Sequence, residues 1–324
     1  MTAQSDLKKL VRARMARTGE SYTTARTMML GESAELAMPA EVPAGPVDAV
    51  VLKLNARSAR VRILGESTDV TLRSPDLHRV LPGQIATVLL SKRWTHQGHT
   101  YASGAIESAR IDISALGLEP LPLEAQGTDD PAEWGEPFDD DTDPYTALWR
   151  RHTGRPRPSF EMHRIAWEGR EAWESDEAEA APISDAAELH EDGHIAEARE
   201  LVMSVLCDDL RCVDGHAHLG NWAFELEPRT AKQHYEIGVG IGDLSLVAVP
   251  EDALLLWGSI YNRPYLRCLF GAALCDWRLG DLAKAEARFE RVLRLNPTDN
   301  QGARFCWHAV RKGGSWEDFA SAER

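Results

Sequence analysis

His96 and His99 lie three residues apart in the stretch THQGHTY, between Trp94 and Tyr101. On a helix that spacing would supply half of a metal site, but zinc needs three or four ligands and no third is close in the sequence. Gly98 between the two histidines favours a hairpin turn instead. Lys92, Arg93, Trp94, His96 and Tyr101 interleave basic and aromatic groups. Single-strand nucleic-acid platforms have this composition, because bases stack on rings while phosphates meet cations. The plainer alternative is a hairpin whose rings pack on a barrel.

Other groups invite chemistry and do not sustain it. His216 and His218 are two apart on a predicted helix, so they point to different faces and cannot chelate together. Asp139, Asp140 and Asp141 lack the ligand spacing of a calcium loop and read as solvated linker. Gly238, Gly240 and Gly242 (GVGIGD) follow a predicted helix rather than a strand, so they read as helix termination and not as a dinucleotide fingerprint. G-x-S-x-G, the phosphate-cradling P-loop and H-E-x-x-H are all missing from the sequence. The expectation is a protein that is not an enzyme, with no catalytic residue, cofactor or metal.

Charge is unevenly distributed. The net charge is −15, yet the first 30 residues carry six basic and two acidic side chains, and Glu124–Tyr145 carries nine acidic and no basic ones. The overall sign opposes non-specific binding of nucleic acid by the whole molecule. Five cysteines (Cys207, Cys212, Cys268, Cys275 and Cys306) without a pairing pattern read as reduced, buried thiols. There is no apolar run long enough for a membrane helix and no secretory leader. The expected setting is cytoplasmic, without membrane contact.

Five segments must position these groups. Residues 1–30 read as a basic helical arm, helix-turn-helix-like, broken at Thr18-Gly19. Within it MARTGESYTTAR resembles short N-terminal motifs of actinobacterial proteins. Residues 31–46 are a Pro-rich linker. Residues 47–123 alternate in short β-rich runs such as ARVRIL and DVTLR, as a small β-barrel-like domain would. There PGQIATVLLSKRW resembles strands of small OB or SH3 barrels. Residues 124–178 are an acidic, mixed linker expected to be loop or disorder, with Trp134, Trp149 and Trp167 available to pin it. That linker could also mask basic surface at Arg150, Arg151, Arg155 and Arg157. Residues 179–324 are helical.

The helical segment carries an internal period. Gly193 sits at a turn with Ala198 five residues on. Gly280 sits at a turn with Ala285 five on, Phe289 four later, and Pro297 closing the unit. Between them a unit begins at Val213 with Leu219-Gly220 and Tyr235. Small residues belong where helix backbones touch, and large apolar ones between hairpins. This pattern resembles the tetratricopeptide repeat (TPR) family, in particular uncharacterised bacterial, actinobacterial-like TPR proteins. The resemblance implies a helical hairpin stack with a groove for a peptide or helix. Its carboxylate-clamping members use Lys, Arg and Asn; the corresponding candidates are Asn262, Arg267 and Arg278, which do not make a complete clamp. Gln301–Lys312 would cap the stack, and the insertion Leu244–Pro264 would lie against the groove or close it.

The reading is a multidomain α+β protein acting as an interaction scaffold or adaptor for an unknown protein or peptide partner. The alternative is a nucleic-acid-associated regulator that uses the basic arm and the Lys92–Tyr101 face.

Overall fold

The computed structural model describes residues 38–39, 41–134, 143–163 and 182–322. The expected basic arm, the Asp139–Asp141 run and Trp167 lie outside the described residues. The described chain is a mixed α/β structure: a closed five-stranded barrel followed by nine α-helices, eight of them C-terminal.

The barrel strands are β2 (Val47–Asn55), β3 (Ser58–Ile63), β4 (Asp69–Arg73), β5 (Ile85–His96) and β6 (His99–Arg110). They follow β1 (Met38–Pro39), which pairs with the outer edge of β5 inside the segment expected to be linker. β2 pairs antiparallel with β3, and β3 with β4. β4 then runs parallel to β6, β6 antiparallel to β5, and β5 back to β2. Alternation decides what faces inward. Ala59, Val61 and Ile63 of β3 and Val70 and Leu72 of β4 fill the barrel. Arg60 and Arg62 must therefore point out. β2 is buried on both faces. Ala49 and Val51 enter the barrel, while Val50 and Leu52 turn outward to meet Leu210. Gln97 and Gly98 both take positive φ, 50° and 74°. They form the tight β5–β6 turn that Gly98 suggested.

The helices are α1 (Pro144–Thr153), α2 (Pro182–Glu191), α3 (Ile195–Asp208), α4 (Val213–Ala223), α5 (Pro228–Leu246), α6 (Arg263–Arg278), α7 (Leu282–Leu295), α8 (Ala303–Arg311) and α9 (Trp316–Ala322). From α2 onward each helix packs on the next, through to α8, and α4 also meets α6. Close approaches between the helices are made by tyrosines over glycines. A Cβ at Gly220 or Gly271 would lie 2.5 or 2.4 Å from the Tyr235 ring. Gly238, Gly240 and Gly242 do not terminate a helix, contrary to expectation. They lie within α5, where a Cβ at Gly238 would meet Cys268 Sγ at 2.5 Å and one at Gly242 the Tyr265 ring at 2.1 Å. Close packing against α6 outweighs the weak helix propensity of glycine.

Much of the segment expected to be acidic linker is folded. β7 (Leu123–Asp129) pairs antiparallel with β8 (Arg157–Met162). α1 buries Tyr145, Leu148 and Trp149, with Tyr145 edge-on to Trp307 of α8. Asp143 caps α1 by accepting from the Tyr145 N–H at 2.7 Å. The insertion after α5 joins this strap instead of closing a groove. The Leu254 N–H donates to Pro158, the Phe160 N–H to Leu254, and the Leu255 N–H to Leu295.

Arg157 fixes the junction. Its buried guanidinium donates to the carbonyls of Asp252 (2.7 Å), His152 (2.8 Å), Arg294 (2.7 Å) and Ala253 (3.4 Å). Burial holds its pKa down to about 10. The neighbouring basic residues are also engaged. Arg155 pairs with Asp252 at 2.7 Å and Arg151 with Glu290 at 3.6 Å. Of the four arginines expected to form a basic surface only Arg157 is withdrawn into the fold, while Arg150, Arg151 and Arg155 stay exposed. Arg157→Met should leave buried carbonyls unpaired at about 1–3 kcal/mol each. The expected result is faster amide hydrogen exchange across 250–262 and a lower urea midpoint, with Arg157→Lys intermediate. Unchanged exchange would mean that the clasp is not what holds the strap.

Candidate functional site

The register of the barrel sets five outward side chains in one row. Lys53 of β2 pairs with Arg60 of β3, Arg60 with Thr71 of β4, Thr71 with Tyr101 of β6, and Tyr101 with Trp94 of β5. A bulge between Val51 and Lys53 brings Lys53 into this line. The Trp94 and Tyr101 rings stack with centroids 5.6 Å apart and planes 12° from parallel. Lys92 Nζ lies 5.2 Å and Arg73 Cζ 5.8 Å from the Trp94 centroid, within the range of cation–π attraction. The rings are half-buried, so they retain surface for a ligand.

Beside this row lies an open recess of about 390 Å³, between the β2–β3 turn and the start of β6. It is lined by Lys53, Asn55, Arg60, Asp69, Thr71 and the stretch His99–Tyr101. Its cations have carboxylate partners. Asp69 accepts from Arg60 (3.1 Å) and Arg62 (2.8 Å), and Glu200 of α3 reaches Lys53 at 2.5 Å. From Val47 to Arg110 the chain carries nine Lys or Arg and five Asp or Glu, opposite in sign to the whole molecule. The arrangement can stack planar rings and pair with anions.

The sequence candidates separate. Lys92, Trp94 and Tyr101 meet on the outer face. Arg93 points the other way and forms a two-pronged ion pair with Glu66, one contact being 2.8 Å. His96 pairs in register with His99 at the hairpin end. No group of three metal-ligating side chains occurs among the described residues. The groove candidates do not converge. Asn262 is fully buried; its side chain accepts from the Met162 N–H and donates to the Phe160 and Leu256 carbonyls. Arg278 donates to the Phe224 and Glu225 carbonyls. Arg267 sits 3.5 Å from Asp214 and over the Trp257 ring. Among the packing residues, Ala198, Leu219, Tyr235, Ala285, Phe289 and Pro297 are buried, and Gly193 and Gly280 turn with positive φ.

Sequence reasoning misses Lys53, Arg60, Thr71 and Arg73. Clean alternation in ARVRIL exposes Arg60, but only the strand register sets it beside Thr71 and Tyr101. It misses His234 as well. That residue lies fully buried in α5 with ring centroid 6.2 Å from His216, and neither of its nitrogens has a hydrogen-bond partner. His216 Nε2 bonds the Leu210 carbonyl at 3.2 Å, and its Nδ1 is unpaired. A Cβ on barrel residue Gly83 would lie 3.4 Å from the His216 ring, so the pair sits beneath the barrel contact.

No protein-family model, curated protein or solved structure matches this chain.

Burial lowers the pKa of His216 to about 4 and of His234 to about 3. Unfolded, both would take a proton near pH 6.5. Stability from the neutral pair is thus fully present above pH 6.5 and falls with pH until about 3. His234→Leu removes two unpaired nitrogens and one of the titrating rings. Thermal melts of this variant should decline less steeply than wild type between pH 6.5 and 4; an identical decline would assign the acid sensitivity elsewhere.

Proposed function

We propose that this chain binds single-stranded nucleic acid on the outer face of its barrel, with the helices as a second, partner-recruiting module. The observation that carries the reading is the row Lys53–Arg60–Thr71–Tyr101–Trp94, where cations and stacked rings share one face. The strand order supports it. Two antiparallel pairings, a parallel closure of third strand on fifth, and a fourth strand returning to the first form the connectivity of OB barrels. Such barrels take oligonucleotides on their second and third strands and the two flanking loops. The recess occupies the corresponding place here, between β3, β4, the β2–β3 turn and the β5–β6 hairpin. Bases would stack on the aromatic end of the row and phosphates would meet its basic end, without sequence readout.

The second reading is a non-enzymatic adaptor whose tetratricopeptide-like hairpins hold a peptide or helix. Tyr235 seated between Gly220 and Gly271, with turn glycines at Gly193 and Gly280, favours the hairpin assignment. The proposed groove side chains Asn262 and Arg278 are spent on the protein's own backbone, which places this reading behind the barrel. The two are compatible if the helices recruit a protein to a bound strand.

The check is fluorescence anisotropy of the full chain with labelled 12-nucleotide single strands of DNA and RNA. Binding should weaken steeply from about 25 to about 200 mM salt, as counterion release requires. Trp94→Ala should cost about 1–3 kcal/mol, the worth of a stacked base. Failure to bind either strand at the lowest salt would sink the reading.

A further inference from the structure

The barrel's basic face is not built from the barrel alone. Lys53 stands at the end of the row, where the outer surface of β2 passes beneath the helices. Its partner Glu200 comes from α3, about 150 residues later in sequence, and lies 2.5 Å away. Only 17% of the Lys53 side chain is exposed, against 61% for Glu200. The pair meets solvent mainly through its carboxylate, and Lys53 also lines the recess. One strand over, Asp69 holds Arg60 in the same manner at 3.1 Å, but Asp69 also braces Arg62 within the β3–β4 pair. Glu200 has no second partner of that kind among the described ion pairs. The α3 helix is anchored without it, by buried Val202, Val205 and Leu206 and by Leu210 against Val50, Leu52 and Ile85.

We infer that Glu200 is a specificity-determining residue of the barrel face: its carboxylate withholds Lys53 from single anions and yields it to a polyanionic strand. This rests on the nucleic-acid reading above. A strand engaged at Trp94, Tyr101 and Arg60 presents its next phosphate to Lys53 at high local concentration, because the remaining contacts already tether it. A free phosphate or mononucleotide has no such tether and must displace Glu200 unaided. An ion pair with one partner in solvent is screened, so a phosphate at high local concentration displaces it. No bond is made or broken; one ion pair is exchanged for another. The ligand class is a flexible single strand carrying several phosphates, and the discrimination is against monomers.

The test uses the full chain, its Glu200→Gln variant, Lys53→Ala and the double variant, with a labelled 12-nucleotide single strand and unlabelled inorganic phosphate and mononucleotide as competitors. Melting temperatures of all four proteins are compared first, and no change from Glu200→Gln is expected. Glu200→Gln should bind the strand about three- to tenfold tighter, because Lys53 no longer leaves an ion pair to reach the phosphate, with the log–log salt slope little changed, because Lys53 meets a phosphate in both proteins. It should also become more sensitive to phosphate and mononucleotide competition. In the Lys53→Ala background the same substitution should change nothing. Equal affinity of wild type and Glu200→Gln for the strand would overturn the role of Glu200 and leave the nucleic-acid reading standing. A gain that persists in Lys53→Ala would also overturn it, by showing a general charge effect. Binding of no strand by either wild type or Glu200→Gln would overturn both.

Discussion

A buried guanidinium with four carbonyls around it is the constraint on which the helical half depends. Removing a charge from water is expensive unless its hydrogen bonds are replaced. Arg157 meets that demand with backbone oxygens from α1, the 247–262 loop and α7. Those three segments are distant in sequence, and this one side chain bonds to all of them, beside the Leu255 N–H to Leu295 bond that joins the loop to α7. Carbonyls, unlike a carboxylate partner, leave the site's charge uncancelled, and burial first and then this charge hold the pKa of nearby His152 down to about 4. Once the strap is fixed, Asn262 can complete it by joining β8 to the loop. The helices then present a defined surface to the barrel through Leu210 and through Ile113, which touches Gly240.

Elsewhere charge is managed by pairing. A buried carboxylate, Asp276, is answered by Lys232 at 2.6 Å and Arg288 at 2.7 Å, and Arg288 is shared with Glu236. Asp243 holds Arg291 while accepting from the Tyr265 hydroxyl. These pairs lie between α5, α6 and α7 and tie the three helices together. The same pairing on the barrel has a different consequence. There Lys53 and Arg60 line an open recess, so on the proposed reading their carboxylates would give way to the phosphates of a ligand. What sets these cations apart is that recess and not their exposure, since Lys53 is 17% exposed and Lys232 22%.

Legibility follows the range of the interaction. The barrel is readable because alternation in ARVRIL and DVTLR reports which side chains face inward, a property of adjacent residues. The β5–β6 turn is readable from Gly98. The stacked pair Trp94–Tyr101 is half readable, since a tight hairpin must bring its arms together. The placement of Arg93 is not, because the partner that turns it inward is Glu66, on another strand connection. The strap is hidden for a related reason. Its acid- and proline-rich composition resembles a linker, and what orders it is a clasp made by residues about 95 to 137 positions away. The glycines of α5 mislead because a glycine that ends a helix and one that admits a neighbour look identical in sequence. Only the positions of Cys268 and Tyr265 separate them.

The barrel and helices share a boundary at which one apolar and one ionic contact lie side by side, and their magnitudes decide how the modules respond to a ligand. Burying Leu210 against Val50, Leu52 and Ile85 is worth about 1.5–3 kcal/mol for that side chain alone. An ion pair whose carboxylate lies in solvent, as in Lys53–Glu200, contributes on the order of 1 kcal/mol. Exchanging the ion pair for a phosphate therefore cannot undock the modules, because the stronger apolar contact is untouched. On the proposed reading the docked arrangement would persist with the site filled, and the helices would stay beside a bound strand. A protein held by the helical half would consequently be presented at a fixed position relative to that strand. Coupling between the two sites would arise from geometry and charge at this boundary, without a change of fold.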